Sequence, residues 1–119
     1  MLAREAIARL LEQYGAQVRA VSSAARAREA FEIRRPDVVV ADIGMPQEDG
    51  YSLVTSLRRI EESQGTPRVP AVAATAFART EDRQRALAAG FDEHMAKPVD
   101  PERVIEVLAR LVREAKSRR

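Results

Sequence analysis

The chain has 119 residues, 20 of them basic and 18 acidic, for a formal net charge of +2, and it has no cysteine. That length fits one domain able to bury roughly two-thirds of its unfolded surface without staples. The missing thiols exclude disulfides, thiolate metal sites and cysteine nucleophiles. Aromatic residues make up only 4%, too few for the stacking platforms of a nucleic-acid binder, and no apolar run approaches the roughly 20 residues of a membrane span.

Ile7, Leu10, Leu11 and Tyr14 fall on one face at helical spacing over residues 2–14, and Gly15 stands where such a helix ends. Polarity then alternates over 17–21, as in a half-exposed edge strand. Ser22 or Ser23 can cap a second helix running to about Arg35, where Pro36 stops it. Val38, Val39, Val40 and Ala41 form an unbroken apolar run, the pattern of a strand covered on both faces. Asp49 and Gly50 close the loop that follows, and Leu53, Val54, Leu57 and Ile60 give a third helix its apolar face.

Residues 64–67 are a turn cluster, and a strand is expected over 69–74. Thr80 is expected to cap a short helix, with Glu81 and Asp82 favouring its amino end and Gly90 ending it. A last strand covers 91–96. Asp100 caps and Pro101 opens a final helix with Val104, Val107, Leu108 and Leu111 as its buried stripe. Strands alternating with helices over short loops predict right-handed βαβ units and a parallel sheet covered on both faces.

In such a sheet the carboxyl ends of the strands border the crevice where ligands bind. Asp42, Thr75 and Lys97 stand at or just beyond three of those ends. Asp42 followed by Met45, Pro46 and Gly50, Thr75 followed by Ala76, and Lys97 followed by Pro98 resemble the acceptor, hydroxyl and Lys-Pro motifs of response-regulator receiver domains, the phosphoacceptor modules of two-component signalling. The resemblance runs from about Leu2 to about Val112.

It implies a flavodoxin-like three-layer α/β/α sandwich with sheet order 2-1-3-4-5. With neither a membrane-span run nor a signal-peptide pattern in the sequence, a cytoplasmic protein is expected. The resemblance implies phosphoryl transfer from a histidine kinase or phosphotransfer protein to Asp42. Thr75 and Lys97 would hold the phosphoryl oxygens, and small Ala76 would leave access to the acyl phosphate. His94 occupies the place of the family's aromatic switch residue. Residues 90–100 are similar to receivers attached to hybrid histidine kinases, so a fused kinase or output domain is an expected partner. Direct nucleic-acid binding and membrane insertion are not expected.

One departure accompanies the match. Receivers begin with a strand ending in two acidic residues, whereas this chain opens on the helix that should follow it. Mg²⁺, the cofactor the resemblance implies, would keep Asp42 and the backbone carbonyl of Gly44 as ligands, in an incomplete site. No acid precedes Glu5, and Glu48 and Asp49 are the acids of the neighbouring loop. A receiver shortened at its amino end, or a piece of a longer protein, is therefore expected, with very poor phosphoryl uptake from small donors. The alternative is a pseudo-receiver that binds a kinase or output domain without phosphotransfer. An interior strand missing from the sheet would leave a gap of twice the normal strand spacing of about 4.8 Å. The expected remedy is a strand outside this sequence, and next a strand from a second copy in a dimer. The domain is expected over 1–115, with 116–119 a basic tail or the start of a linker.

Overall fold

Among the described residues, runs of small and β-branched residues become three parallel strands, and amphipathic segments between them become helices. In chain order these are α1 (Ala24–Ile33), β1 (Val39–Asp42), α2 (Gly50–Gln64), β2 (Ala71–Thr75), α3 (Thr80–Ala89), β3 (Glu93–Ala96) and α4 (Pro101–Ser117). The structure is a computed structural model that describes residues 9, 11–15, 17, 19, 21, 23–42, 50–75, 79–96 and 100–117, with Asp42 by its backbone alone. Ahead of α1, residues 9 and 11–13 are helical.

The sheet has the order β1-β2-β3, with Val39 opposite Ala71 and Val72 opposite Glu93 at its start. Side chains alternate between the two faces of each strand. Ala41, Ala71 and Ala73 therefore join Ala24 and Phe31 of α1, Leu53, Val54 and Leu57 of α2, and Ala86 of α3 in one core. Val72 and Met95 join Val104, Val107, Leu108 and Leu111 of α4 in a second core on the other face, bordered by Leu11, Val38 and Val40. Helices thus cover both faces, an α/β fold in three layers. The middle strand is small as well as buried: all five residues of β2 are buried, and Ala71, Ala73 and Ala74 are three of them.

Local signals account for most boundaries. Ser23 is extended and its hydroxyl accepts from the Arg26 amide at 3.2 Å, capping α1. Gly90, at φ +125°, ends α3, with the Gly90 and Phe91 amides closing on the Ala86 carbonyl, a left-handed termination that glycine permits. Asp100 accepts from the Glu102 amide at 3.1 Å and caps α4, whose expected stripe is buried throughout. That helix runs on through Ser117, into the stretch expected as tail.

Other expectations change. Arg79, not Thr80, is the cap residue of α3, and it makes no side-chain cap bond. A cap must be extended, and the chain turns helical at Thr80, one residue earlier than a threonine cap would need. Tyr14 is 64% exposed rather than on the buried face. It lies in the turn that precedes Gly15 at φ +89°, past the residues whose spacing defines that face, while Ile7 and Leu10 lie outside the described residues. Gln17, Arg19 and Val21 belong to no strand, and the residues between them lie outside the described set. Alternating polarity marks a face but supplies no pairing partner. Val38, Val39 and Val40 are half-buried instead of covered on both sides, because among the described residues β1 is the edge of the sheet.

Candidate functional site

The β-branched run before Asp42 has one physical outcome, a strand whose last residue is a carboxylate. β2 does the same with Thr75. Because the strands are parallel, their carboxyl ends lie at one end of the sheet. Asp42 pairs with Ala74, and Thr75 pairs with Ala96. The Asp42 and Thr75 backbones are therefore diagonal neighbours, roughly 6 Å apart by ordinary strand spacings. Ala96, the residue before Lys97, closes the same row.

Thr75 is fully buried. Its register puts it on the face of Ala71 and Ala73, toward α1 and α2. His94 is opposite Ala73, so it shares that face with Thr75 and is half-buried beside it. Glu93 points the other way, toward α4, where its carboxylate accepts from Arg110 at 2.6 Å. The structure therefore brings together the ends carrying Asp42 and Thr75 and sets His94 on the Thr75 face. Lys97, Gly44 and Ala76 lie outside the described residues, as does the side chain of Asp42.

Magnesium prefers six oxygen ligands and takes one or two from carboxylates of a protein. No group of three His, Asp or Glu able to hold a cation occurs among the described residues. These residues do not by themselves make a magnesium site.

The opposite end of the sheet holds a charged cluster that the sequence reading passed over. Arg58 of α2 lies between Glu61 and Asp92, at 2.9 Å and 3.1 Å. It also donates to the Val69 carbonyl at 2.7 Å and twice to the Gly90 carbonyl at 3.0 Å. Glu61 is buried and accepts from the Val69 amide at 2.7 Å. Asp92 accepts from the Ala71 amide at 2.8 Å and from Arg68 at 3.2 Å. Such a buried pair is favourable only when every remaining lone pair and proton is satisfied, and here backbone groups do so. The available signal was Glu61 four residues after Leu57, an acid inside an apolar stripe.

The family model of the response regulator receiver domain matches residues 1–109. The chain belongs to this family. An uncharacterised 14.6 kDa protein of Leptolyngbya boryana is 37% identical over 88% of this receiver and 78% of its own length. The sensor histidine kinase GacS of Pseudomonas protegens is 35% identical over 83% of this receiver, which spans only 11% of that kinase. Among solved structures, the receiver domain of sensor histidine kinase PA1611 from Pseudomonas aeruginosa PAO1 is 31% identical, with a TM-score of 0.79 over 91% of this chain and 86% of that one. That protein carries a magnesium ion coordinated in its active site cleft. Among the described residues of this receiver, no helix is long and apolar enough to cross a membrane.

Proposed function

We propose that this receiver takes a phosphoryl group onto Asp42 from a phosphohistidine of a partner histidine kinase or phosphotransfer protein. The observation that carries the reading is the register: Asp42 beside Ala74 and Thr75 beside Ala96 bring an acid and a hydroxyl to one end of the sheet. In the step, a carboxylate oxygen attacks phosphorus, the P–N bond breaks, and its electron pair leaves on the imidazole, which takes a proton from solvent. A weak nucleophile suffices if attack is in line and the charge on the phosphoryl oxygens is offset.

Lys97 supplies that offset as a point charge, and Thr75 donates a hydrogen bond to a second phosphoryl oxygen. Drawing a buried hydroxyl toward the phosphoryl group changes the packing beside it, and His94 on the same face is the side chain that answers. Ala76 leaves the acyl phosphate open to water, so the module catalyses only its own phosphorylation and loss of phosphate. Magnesium, when bound, would add charge neutralisation. Fusion to a kinase or output domain is the arrangement in which such a module works.

Intact-mass spectrometry with phosphoramidate and magnesium tests this. The chain should gain one phosphoryl group slowly, and Asp42→Asn should gain none. Equal uptake by the Asn variant would rule out Asp42 as acceptor. No uptake from phosphoramidate or from a phosphorylated kinase, with kinase binding retained, would leave an interaction module without phosphotransfer.

A further inference from the structure

The middle strand carries few marks of its own position. Ala71 and Ala73 share one face of β2 with Thr75, and Val72 shares the other with Ala74. A shift of two residues keeps every side chain on its own face. It lays Ala73 where Ala71 was and Ala74 where Val72 was. Side-chain packing therefore specifies the register of β2 only weakly.

Charged residues supply what the alanines lack. At the entrance to the strand, all four backbone groups of Val69 and Ala71 are held. Arg58 donates to the Val69 carbonyl at 2.7 Å, and Glu61 accepts from the Val69 amide at 2.7 Å. Asp92 takes both groups of Ala71: its amide donates to the Ala71 carbonyl and its carboxylate accepts from the Ala71 amide, each at 2.8 Å. The same carboxylate oxygen accepts from Arg58 at 3.1 Å, and the other accepts from Arg68 at 3.2 Å. Three of the four bonds to the strand are charge-assisted, a class roughly twice as strong as neutral ones. Between them the Pro70 carbonyl accepts from the Val39 amide at 2.9 Å, which ties β1 to the same entrance. A shifted β2 would break all of these bonds at once.

Thr75 lies about 13 Å beyond Ala71 along the extended strand. Its height beside Asp42 and Ala96 is thus fixed where the strand enters. We infer that Asp92, backed by Arg58, is a positioning residue for the acceptor end: it locks the register of β2 and so sets Thr75 against Asp42 and Ala96. This role presupposes Asp42 as the acceptor, whereas the lock itself needs no phosphoryl donor.

Two measurements on the full chain test it. Interstrand NOEs between Asp42 and Ala74 and between Thr75 and Ala96 read the register. Intact-mass kinetics at saturating phosphoramidate with magnesium read the acceptor. Asp92→Ala removes the carboxylate that holds the Ala71 amide. A second set of NOEs, or loss of the first, should accompany uptake roughly tenfold slower or more in the folded variant. Asp92→Asn keeps an oxygen that can accept from the Ala71 amide, and should show the parent NOEs and most of the parent rate. Where Asp92→Ala does not fold, Arg58→Lys keeps the charge but loses the fork, and should change both readings in the same direction. Parent NOEs in the folded Ala variant would overturn the lock, because lost stability alone leaves register unchanged. A shifted register with the parent uptake rate would overturn the positioning role, and so would equal losses in the Asn and Ala variants. A parent chain that takes up no phosphoryl group would defeat the acceptor reading instead, and the NOEs would then decide the lock by themselves.

Discussion

The two ends of the sheet hold polar groups in opposite ways. At the amino end, Arg58, Glu61, Asp92 and Arg68 satisfy one another and the backbone around Val69, Ala71 and Gly90. At the carboxyl end, separate strands each deliver a polar residue, Asp42 from β1 and Thr75 from β2. The first arrangement closes its charges on themselves and joins α2, β2 and the start of β3 into one unit. The second collects groups from different elements at the end proposed above as the acceptor site. The clasp and the proposed acceptor end are thus separated by the length of a four- or five-residue strand.

Three substitutions can break or sharpen that contrast. The largest effect is expected from Arg58→Ala, which strands the Glu61 carboxylate, whose side chain is 6% exposed, without its partner. Breaking a buried pair in this way costs about 3 kcal/mol or more, and urea unfolding should read it as a lower midpoint at unchanged slope. A loss below about 1 kcal/mol would mean that water reaches the pair and that the amino end is not the rigid one.

An intermediate effect is expected at the other end. Thr75→Val keeps the volume of a fully buried residue and removes its hydroxyl, so stability should fall by about 1 kcal/mol. The His94 ring resonances should then no longer respond to phosphoramidate. A response equal to that of the parent would take Thr75 out of the signal path. The smallest effect is expected from Arg110→Ala. Its ion pair with Glu93 joins α4 to β3, yet Arg110 is 46% exposed, and exposed pairs contribute about 0.5 kcal/mol or less. A thermal melt indistinguishable from the parent would separate this surface contact from the buried clasp.

What the sequence discloses follows the range of each force. The α4 stripe, the Ser23, Asp100 and Gly90 signals and the strand ends at Asp42 and Thr75 are local patterns, and the structure carries them. Receiver membership was legible because three short motifs fall in order at those ends. The clasp was not, because Arg58 and Asp92 are 34 positions apart and each alone looks like a solvated charge. Only the fold brings them together. Thr80 misled for a related reason: its hydroxyl suits a cap, but a cap is the last extended residue before the backbone turns helical, and that residue is Arg79. The pattern over 17–21 marks a face, and its described residues Gln17, Arg19 and Val21 belong to no strand. The metal set and the reach of Lys97 depend on residues outside those described.

The alanines of β2 place local preference and long-range packing in opposition. Alanine is a poor strand former, so the segment Ala71–Thr75 has little inclination of its own to extend. It is a strand because β1 and β3 give it ladders on both sides and because its small side chains let helices close over it. The centre of this sheet is therefore a consequence of its surroundings. The β-branched run of β1 beside it and the amphipathic stripe of α4 over one face supply the preference that β2 lacks.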